Sequence, residues 1–238
     1  MATSNVTEIK SDHVIAWLDK NMGVSQNNRP SKKGLASSAN VDCIPSNERS
    51  HDINYLIHTD DPYINDEQWN DLIINVLQMF TDEEKCIKFT DDNLMTNKQP
   101  FLIVSGQIGV SFVPKIYQKL SGYIYAFCGQ RHTHEWTGEY LNHIEIYDDE
   151  TGFFAKVLID IGIYYLKKGE EETSNLTSSI KYLEWARRLF TRAAQLDGNK
   201  RKDYLDIIDE TLTVLKASQS NNNNDDQMEQ IAQDTNEG

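Results

Sequence analysis

The 238-residue chain sets 23 basic against 37 acidic residues, a formal charge of −14, which repels nucleic-acid phosphates and anionic lipid surfaces unless a local basic patch outweighs it. Its cysteines, Cys43, Cys86 and Cys128, are odd in number and scattered, which argues against a disulfide framework and for a reducing, cytoplasmic setting. No apolar run reaches the ~20 residues of a membrane span, and the opening residues lack a basic stretch followed by an apolar one, so neither membrane nor secretion is expected. The N-x-T triplets at Asn5 and Asn175 then read as chance.

After a polar stretch at 1–12, expected to be disordered, "HVIAWLD" (13–19) is β-branched and aromatic and ends on Asp19, as suits a strand delivering a carboxylate to a sheet edge. Residues 20–52 are rich in Ser and Asn, contain Pro30 and Pro45, and read as a mobile insertion. "INYLIH" (53–58) fits a short strand or a turn. In "DEQWNDLIINVLQMF", Trp69, Leu72, Ile73, Val76, Leu77 and Phe80 fall on one stripe, and Asn65 and Gln68 have capping-box spacing. The expectation is an amphipathic helix.

"KCIKFTDD" (85–92) alternates and predicts an edge strand. "FLIVSG" (101–106), "GYIYAFCG" (122–129) and "NHIEIYDD" (142–149) are short apolar runs, with helices expected between them at 110–120 and 132–141. Continuous apolar strands alternating with helices indicate a parallel sheet covered on both faces. Over 13–150 the pattern matches a five-stranded, doubly wound sheet of flavodoxin-like order 2-1-3-4-5, in which function collects at the C-terminal strand ends. The candidate pocket residues there are Asp19, Ser105, Gly106, Cys128, Gly129 and Asp148.

The strand count resembles that of phosphoacceptor receiver domains, and the resemblance implies an acidic pair after strand one, a phosphorylated Asp after strand three, a Ser or Thr after strand four and a Lys after strand five. Here only Asp19 fits. Strand three ends in Ser105-Gly106, strand four in Cys128 and strand five in Tyr147-Asp148, and no Asp lies between residues 93 and 147. Without the carboxylate nucleophile no aspartyl phosphate forms. An activated Ser105 would need a base and a nucleophile elbow, and "IVSGQ" supplies only the following Gly. The pair Gly106 and Gly109 is a weak phosphate signal. "CGQRHTHEW" (128–136) gathers Cys128, His132, His134 and Glu135, with His143 beyond. On a helix, however, residues 132 and 134 point about 200° apart and do not converge on a metal. No metal and no cofactor are expected.

From 151 to 217 the pattern is helical. "ETGFFAKVLIDIGIYYLKKG" (150–169) is apolar nearly all round and must be covered on two sides. "SIKYLEWARRLFTRAAQLD" (179–197) and "KRKDYLDIIDETLTVLK" (200–216) follow. Ala186, Phe190 and Ala193, with Leu158, Ile161, Gly162 and Tyr165, reproduce the spacings of a tetratricopeptide hairpin, with a longer loop than that family has. Lys181, Arg188 and Arg192 share one side of the second helix and are the candidate partner-binding residues. The alternative is a solvated face neutralised by the chain's own acids. Residues 218–238, Asn-rich and acidic, predict a disordered tail.

The stretches "VIAWLD", "VLQMF" with "DEEKCIKF", "FLIVSG", "VPKIY" and "YIYAFC" resemble a group of invertebrate proteins in which a receiver-like region precedes tetratricopeptide repeats or an arginine-type ADP-ribosyltransferase domain. The resemblance covers residues 13–147. It implies fold more than activity, and "GEEE" (169–172) lies between helices rather than in a transferase context. The expectation is a non-catalytic signalling or adaptor protein, monomeric or dimerising through 153–167, with a protein or peptide partner. The alternative is a small-molecule enzyme, a hydrolase or nucleotide-using protein, working at the strand ends.

Overall fold

A computed structural model describes residues 9–20, 39, 77–120, 123–128, 135–140, 142–172 and 174–234. Five strands run β1 (His13–Leu18), β2 (Leu77–Phe80), β3 (Gln99–Ser105), β4 (Ile124–Phe127) and β5 (Ile144–Tyr147). All pair in parallel, in the order β2-β1-β3-β4-β5. The expected α/β class and strand order are thus what the structure has. The central strands are apolar on both sides because both faces are covered. Ala16, Leu18, Leu102, Val104, Ile124 and Ala126 pack on α1 (Glu83–Met95) and α2 (Gly106–Ile116). Ile15, Trp17, Phe101, Ile103 and Tyr125 pack on α3 (Glu150–Glu171).

Two expected elements change type. The segment expected as an edge strand, 85–92, lies in α1: Asp82 accepts from the Lys85 amide at 2.9 Å, Glu83 and Glu84 occupy the first turn, and Cys86 and Thr90 are buried one turn apart. Acids complement the positive helix start, and in this stretch the cap outweighs the alternation. Conversely, Leu77–Phe80, expected to end a helix, is the edge strand β2, with Ile15 opposite Leu77 and Leu18 opposite Phe80. Its Leu77 is buried and its Met79 is 46% exposed, as an edge allows. The rest of that helical stripe, the 53–58 segment and all of the 20–52 insertion except Lys20 and Ala39 lie outside the described residues. Of the helix expected at 132–141, the described part, Glu135–Tyr140, is a 3-10 helix, and residues 132–134 and 141 lie outside the described residues.

α3 begins at a capping Asp149, which accepts from Gly152 at 2.6 Å. α4 (Leu176–Asp197) starts at Asn175, accepting from Ser178 at 3.0 Å, and stops at Gly198, whose φ of +72° is left-handed and favours glycine. The two helices pack closely at small residues: a Cβ on Gly162 would lie 3.2 Å from the Phe190 ring, and one on Gly169 would lie 2.8 Å from Leu183. α5 (Lys202–Asp234) covers the hairpin through buried Ile208 and Leu212. It continues to Asp234 where composition predicts a tail from 218, because extending a formed helix adds one hydrogen bond per residue without a new nucleus. Residues 9–12, expected as part of a disordered start, are held: Lys181 Nζ donates to the Ile9 carbonyl at 2.6 Å, and the Gln99 amide donates to the Asp12 carbonyl at 2.8 Å.

Candidate functional site

The strand register places the first group of candidate residues. Leu18 stands opposite Val104, Ser105 opposite Phe127, and Phe127 opposite Tyr147. Asp19 is therefore level with Ser105 on the neighbouring strand, about 5 Å away along the hydrogen-bonding direction. The Asp19 amide donates to the Phe80 carbonyl at 2.9 Å, and the Cys128 amide to the Tyr147 carbonyl at 2.8 Å, so both residues extend the sheet by one step.

Pleating then separates these groups. Phe127 packs toward α3 and stacks on Phe153 at 5.2 Å; the next residue, Cys128, belongs to the opposite face and is 2% exposed among Ala126, Ile124 and their neighbours. Cys128 is core, and it does not meet Ser105, whose register partner is Phe127. Burial likewise pushes the Cys86 thiol up to about 12. Ser105 precedes α2 in extended geometry (φ −69°, ψ 145°) without a side-chain capping bond, and Gly106 is the first, buried residue of that helix. No turn separates strand from helix, and Gly198 is the one glycine with positive φ among the described residues. Asp148 is exposed, and Gly129, His132 and His134 lie outside the described residues. His143 packs on the Tyr117 ring at 4.9 Å.

A polar network the sequence did not suggest runs from buried Tyr125 and Asp160 to the partly exposed Lys156 and Glu145 between α3 and the sheet. Tyr125 donates to Asp160 at 2.7 Å, and Lys156 reaches Asp160 at 2.8 Å and Glu145 at 2.7 Å. Burial raises the Asp160 carboxyl above its ordinary range, against the pull of Lys156 and Tyr125. Burial, and then the Asp160 charge, pushes the Tyr125 phenol well up. These groups satisfy each other between sheet and helix, which is a structural arrangement.

The second candidate region is the helical surface. Lys181 is engaged away from Arg188 and Arg192: its Nζ donates to the Ile9 carbonyl and lies 5.2 Å from the Trp185 ring centre. Arg188 instead lines an open groove of about 420 Å³ between α4 and α5, with Glu184, Arg187, Asp209, Leu212, Thr213 and Lys216. Across it Arg187 pairs with Asp209 at 2.5 Å and Lys216 with Glu184 at 2.7 Å. Arg187 and Lys216 are 29 positions apart, and only the packing of α5 on α4 brings them together. On α3, Phe153, Val157, Leu158, Ile161 and Tyr165 are fully buried against the sheet and α4, while Ile159, Ile163 and Tyr164 are partly buried.

Comparison of the chain with protein-family models, with curated proteins and with solved structures finds no match. No helix among the described residues is long and apolar enough to cross a membrane.

Proposed function

We propose that this is a non-catalytic adaptor, in which a receiver-like sheet supports a tetratricopeptide-like hairpin and its third helix, and that the helical part binds a protein segment bearing carboxylates. The observation that carries the reading is the α4–α5 groove with Arg187, Arg188 and Lys216 on its walls. Its two ion pairs are half exposed, and such pairs contribute about 0–1 kcal/mol each. An incoming carboxylate can therefore exchange with Asp209 or Glu184 at little cost while Leu212 offers an apolar floor. The close contact of Gly162 with Phe190, at the positions the repeat pattern names, supports the hairpin assignment.

The test is fluorescence polarisation with labelled acidic peptides against the full chain, with Lys-substituted peptides as controls. Arg187→Glu/Arg188→Glu should weaken acidic-peptide binding by about tenfold or more, ~1.4 kcal/mol. Equal binding of acidic and basic peptides would remove the proposal. The register neighbourhood of Asp19 and Ser105 supports a second reading, a small-molecule enzyme at the strand ends. A thermal-shift screen against nucleotides and esters decides for it if a shift disappears in Ser105→Ala.

A further inference from the structure

Three of the exposed large apolar side chains lie on one stripe of α5: Tyr204 (37% exposed), Ile207 (51%) and Val214 (64%). With Thr211 they are spaced 3, 4 and 3 residues apart, the a/d seam that accepts another helix. The stripe runs beside the seam that α5 already uses, Ile208 and Leu212, which is buried against the hairpin. It is also continuous with the core: the Tyr204 ring stacks on Phe190 at 4.6 Å and 8°, so its exposed face is held in place. The groove residues Asp209, Thr213 and Lys216 lie on a different side of the helix, since at 100° per residue their positions fall well away from 204, 207 and 214.

Charge selects the occupant. Asp203 and Glu210 each stand one residue before a stripe position and edge its outer side. Both are exposed. In an antiparallel pair of identical helices these flanking positions face their own copies, so a second chain would set Asp203 and Glu210 against themselves, on top of −14 carried by each molecule. A helix with Lys or Arg beside its apolar seam meets the same acids favourably and is steered by the same net charge.

We propose that the Tyr204–Ile207–Val214 face of α5 docks a basic amphipathic helix of another protein. This surface is separate from the α4–α5 groove and stands whether or not the groove binds carboxylates.

The probe is a labelled 21-residue peptide with Leu at a and d and Lys at e and g, measured by polarisation against the full chain. One control carries Glu at e and g; another keeps the Lys composition and shuffles the Leu positions. The Lys probe should bind at least tenfold more tightly than either control. Ile207→Ser/Val214→Ser, both at exposed sites, should lose that margin with the circular dichroism spectrum unchanged. Asp203→Lys/Glu210→Lys should invert the preference toward the Glu probe. Arg187→Glu/Arg188→Glu should leave the Lys probe bound, which separates failure of this surface from failure of the groove. Equal binding of the shuffled Lys peptide would mean charge attraction alone and would overturn the proposal. So would absence of binding, or a dimer by light scattering that Ile207→Ser/Val214→Ser returns to the 27.3 kDa monomer, since a second copy would then own the face.

Discussion

Replacing Gly169 by Ala tests whether backbone approach or helix propensity governs the α3–α4 hairpin. In a helix interior Ala is favoured over Gly by about 1 kcal/mol, so propensity alone predicts stabilisation. The structure opposes this. The new Cβ would sit 2.8 Å from Leu183 Cγ, 3.0 Å from Leu183 Cδ2 and 3.3 Å from the Ser179 carbonyl. Leu183 Cγ is a branch point in a fully buried side chain, and the Ser179 backbone is tied to this spot by its hydroxyl, which donates to the Gly169 carbonyl at 2.7 Å. Neither contact yields without moving the helices apart, and such overpacking costs about 1–3 kcal/mol. The net expectation is destabilisation of about 1 kcal/mol.

Gly162 is the internal control. There the three atoms nearest to a Cβ all belong to the ring edge of Phe190, at 3.2 to 3.4 Å, and a tilt of a few tenths of an ångström relieves them, so Gly162→Ala should fall within about 0.5 kcal/mol of wild type. Urea unfolding with unchanged m-values measures both. If Gly169→Ala is as stable as Gly162→Ala, or more stable than wild type, the close-approach argument is wrong. A cycle with Leu183→Ala adds a sign: alone it costs about 2–5 kcal/mol, and in the Gly169→Ala background it should cost less, because the new methyl occupies part of the vacated space.

Lys115 donates to Glu83 at 2.6 Å, and the Lys115 bond, followed by the Ser111 bond, holds the Glu83 carboxyl below its usual range. A lowered carboxylate pKa contributes stability above the unfolded value and loses it as pH falls. Lys115→Met should accordingly cost about 0.2–1 kcal/mol at pH 7 and low salt, and the difference should begin to close below the unfolded glutamate value of about 4.3 and vanish below the lowered folded one, as measured by urea midpoints across pH. Tyr125→Phe removes the phenol donor to buried Asp160 and should cost about 1–3 kcal/mol in the same assay; a neutral result would mean that Lys156 satisfies the carboxylate alone. Cys86 and Cys128 are buried and Cys86 is pushed up to about 12, so a disulfide reagent at pH 8 should label neither until urea unfolds the chain, with sites read by peptide mass.

What the sequence shows of this fold follows from which signals are local. β3, β4 and β5 are short apolar runs between turn residues, and their identity survives because both faces of the sheet are covered. β2 was hidden because Leu77 and Phe80 also complete a helical stripe begun at Trp69; only pairing with Ile15 and Leu18 makes them a strand. α1 carried a readable signal, Asp82 before Glu83 and Glu84, which outweighs the alternation of Cys86, Ile87 and Phe89. At the strand ends the residue types were visible but not their facing: Cys128 and Ser105 sit at one sheet edge on opposite faces, and register, a long-range property, decides this. On α4, helical spacing grouped Lys181 with Arg188, yet the Ile9 carbonyl, 172 positions away in sequence, takes Lys181. The groove needed α5, and nothing local marks Lys216 as a neighbour of Glu184.

The change from alternating strands and helices to helices alone, near residue 150, marks a boundary of pattern but not of packing. One core runs from Ile15 and Trp17 through α3 to Leu189, Phe190 and Leu212. At its two ends α3 grips the sheet by different means. Phe153 and Phe154 meet Trp17 edge-on at 6.0 and 6.4 Å, near the C-terminal end of β1. One strand length away, Tyr165 Oη accepts from the Asp12 amide at 3.1 Å and lies 2.8 Å from His13 Nδ1. Lys168 pairs with Asp12 and lies over the rings of Tyr164 and Tyr182, so the residues that hold β1 also hold α4. A helix apolar all round is stable only when covered on both sides, and here the sheet covers one and α4 the other. Removing α4 and α5 would strip Ile161 and Tyr165 of their cover, while removing the sheet would strip Phe153 and Val157. The helical surface is therefore carried on the sheet through one continuous core.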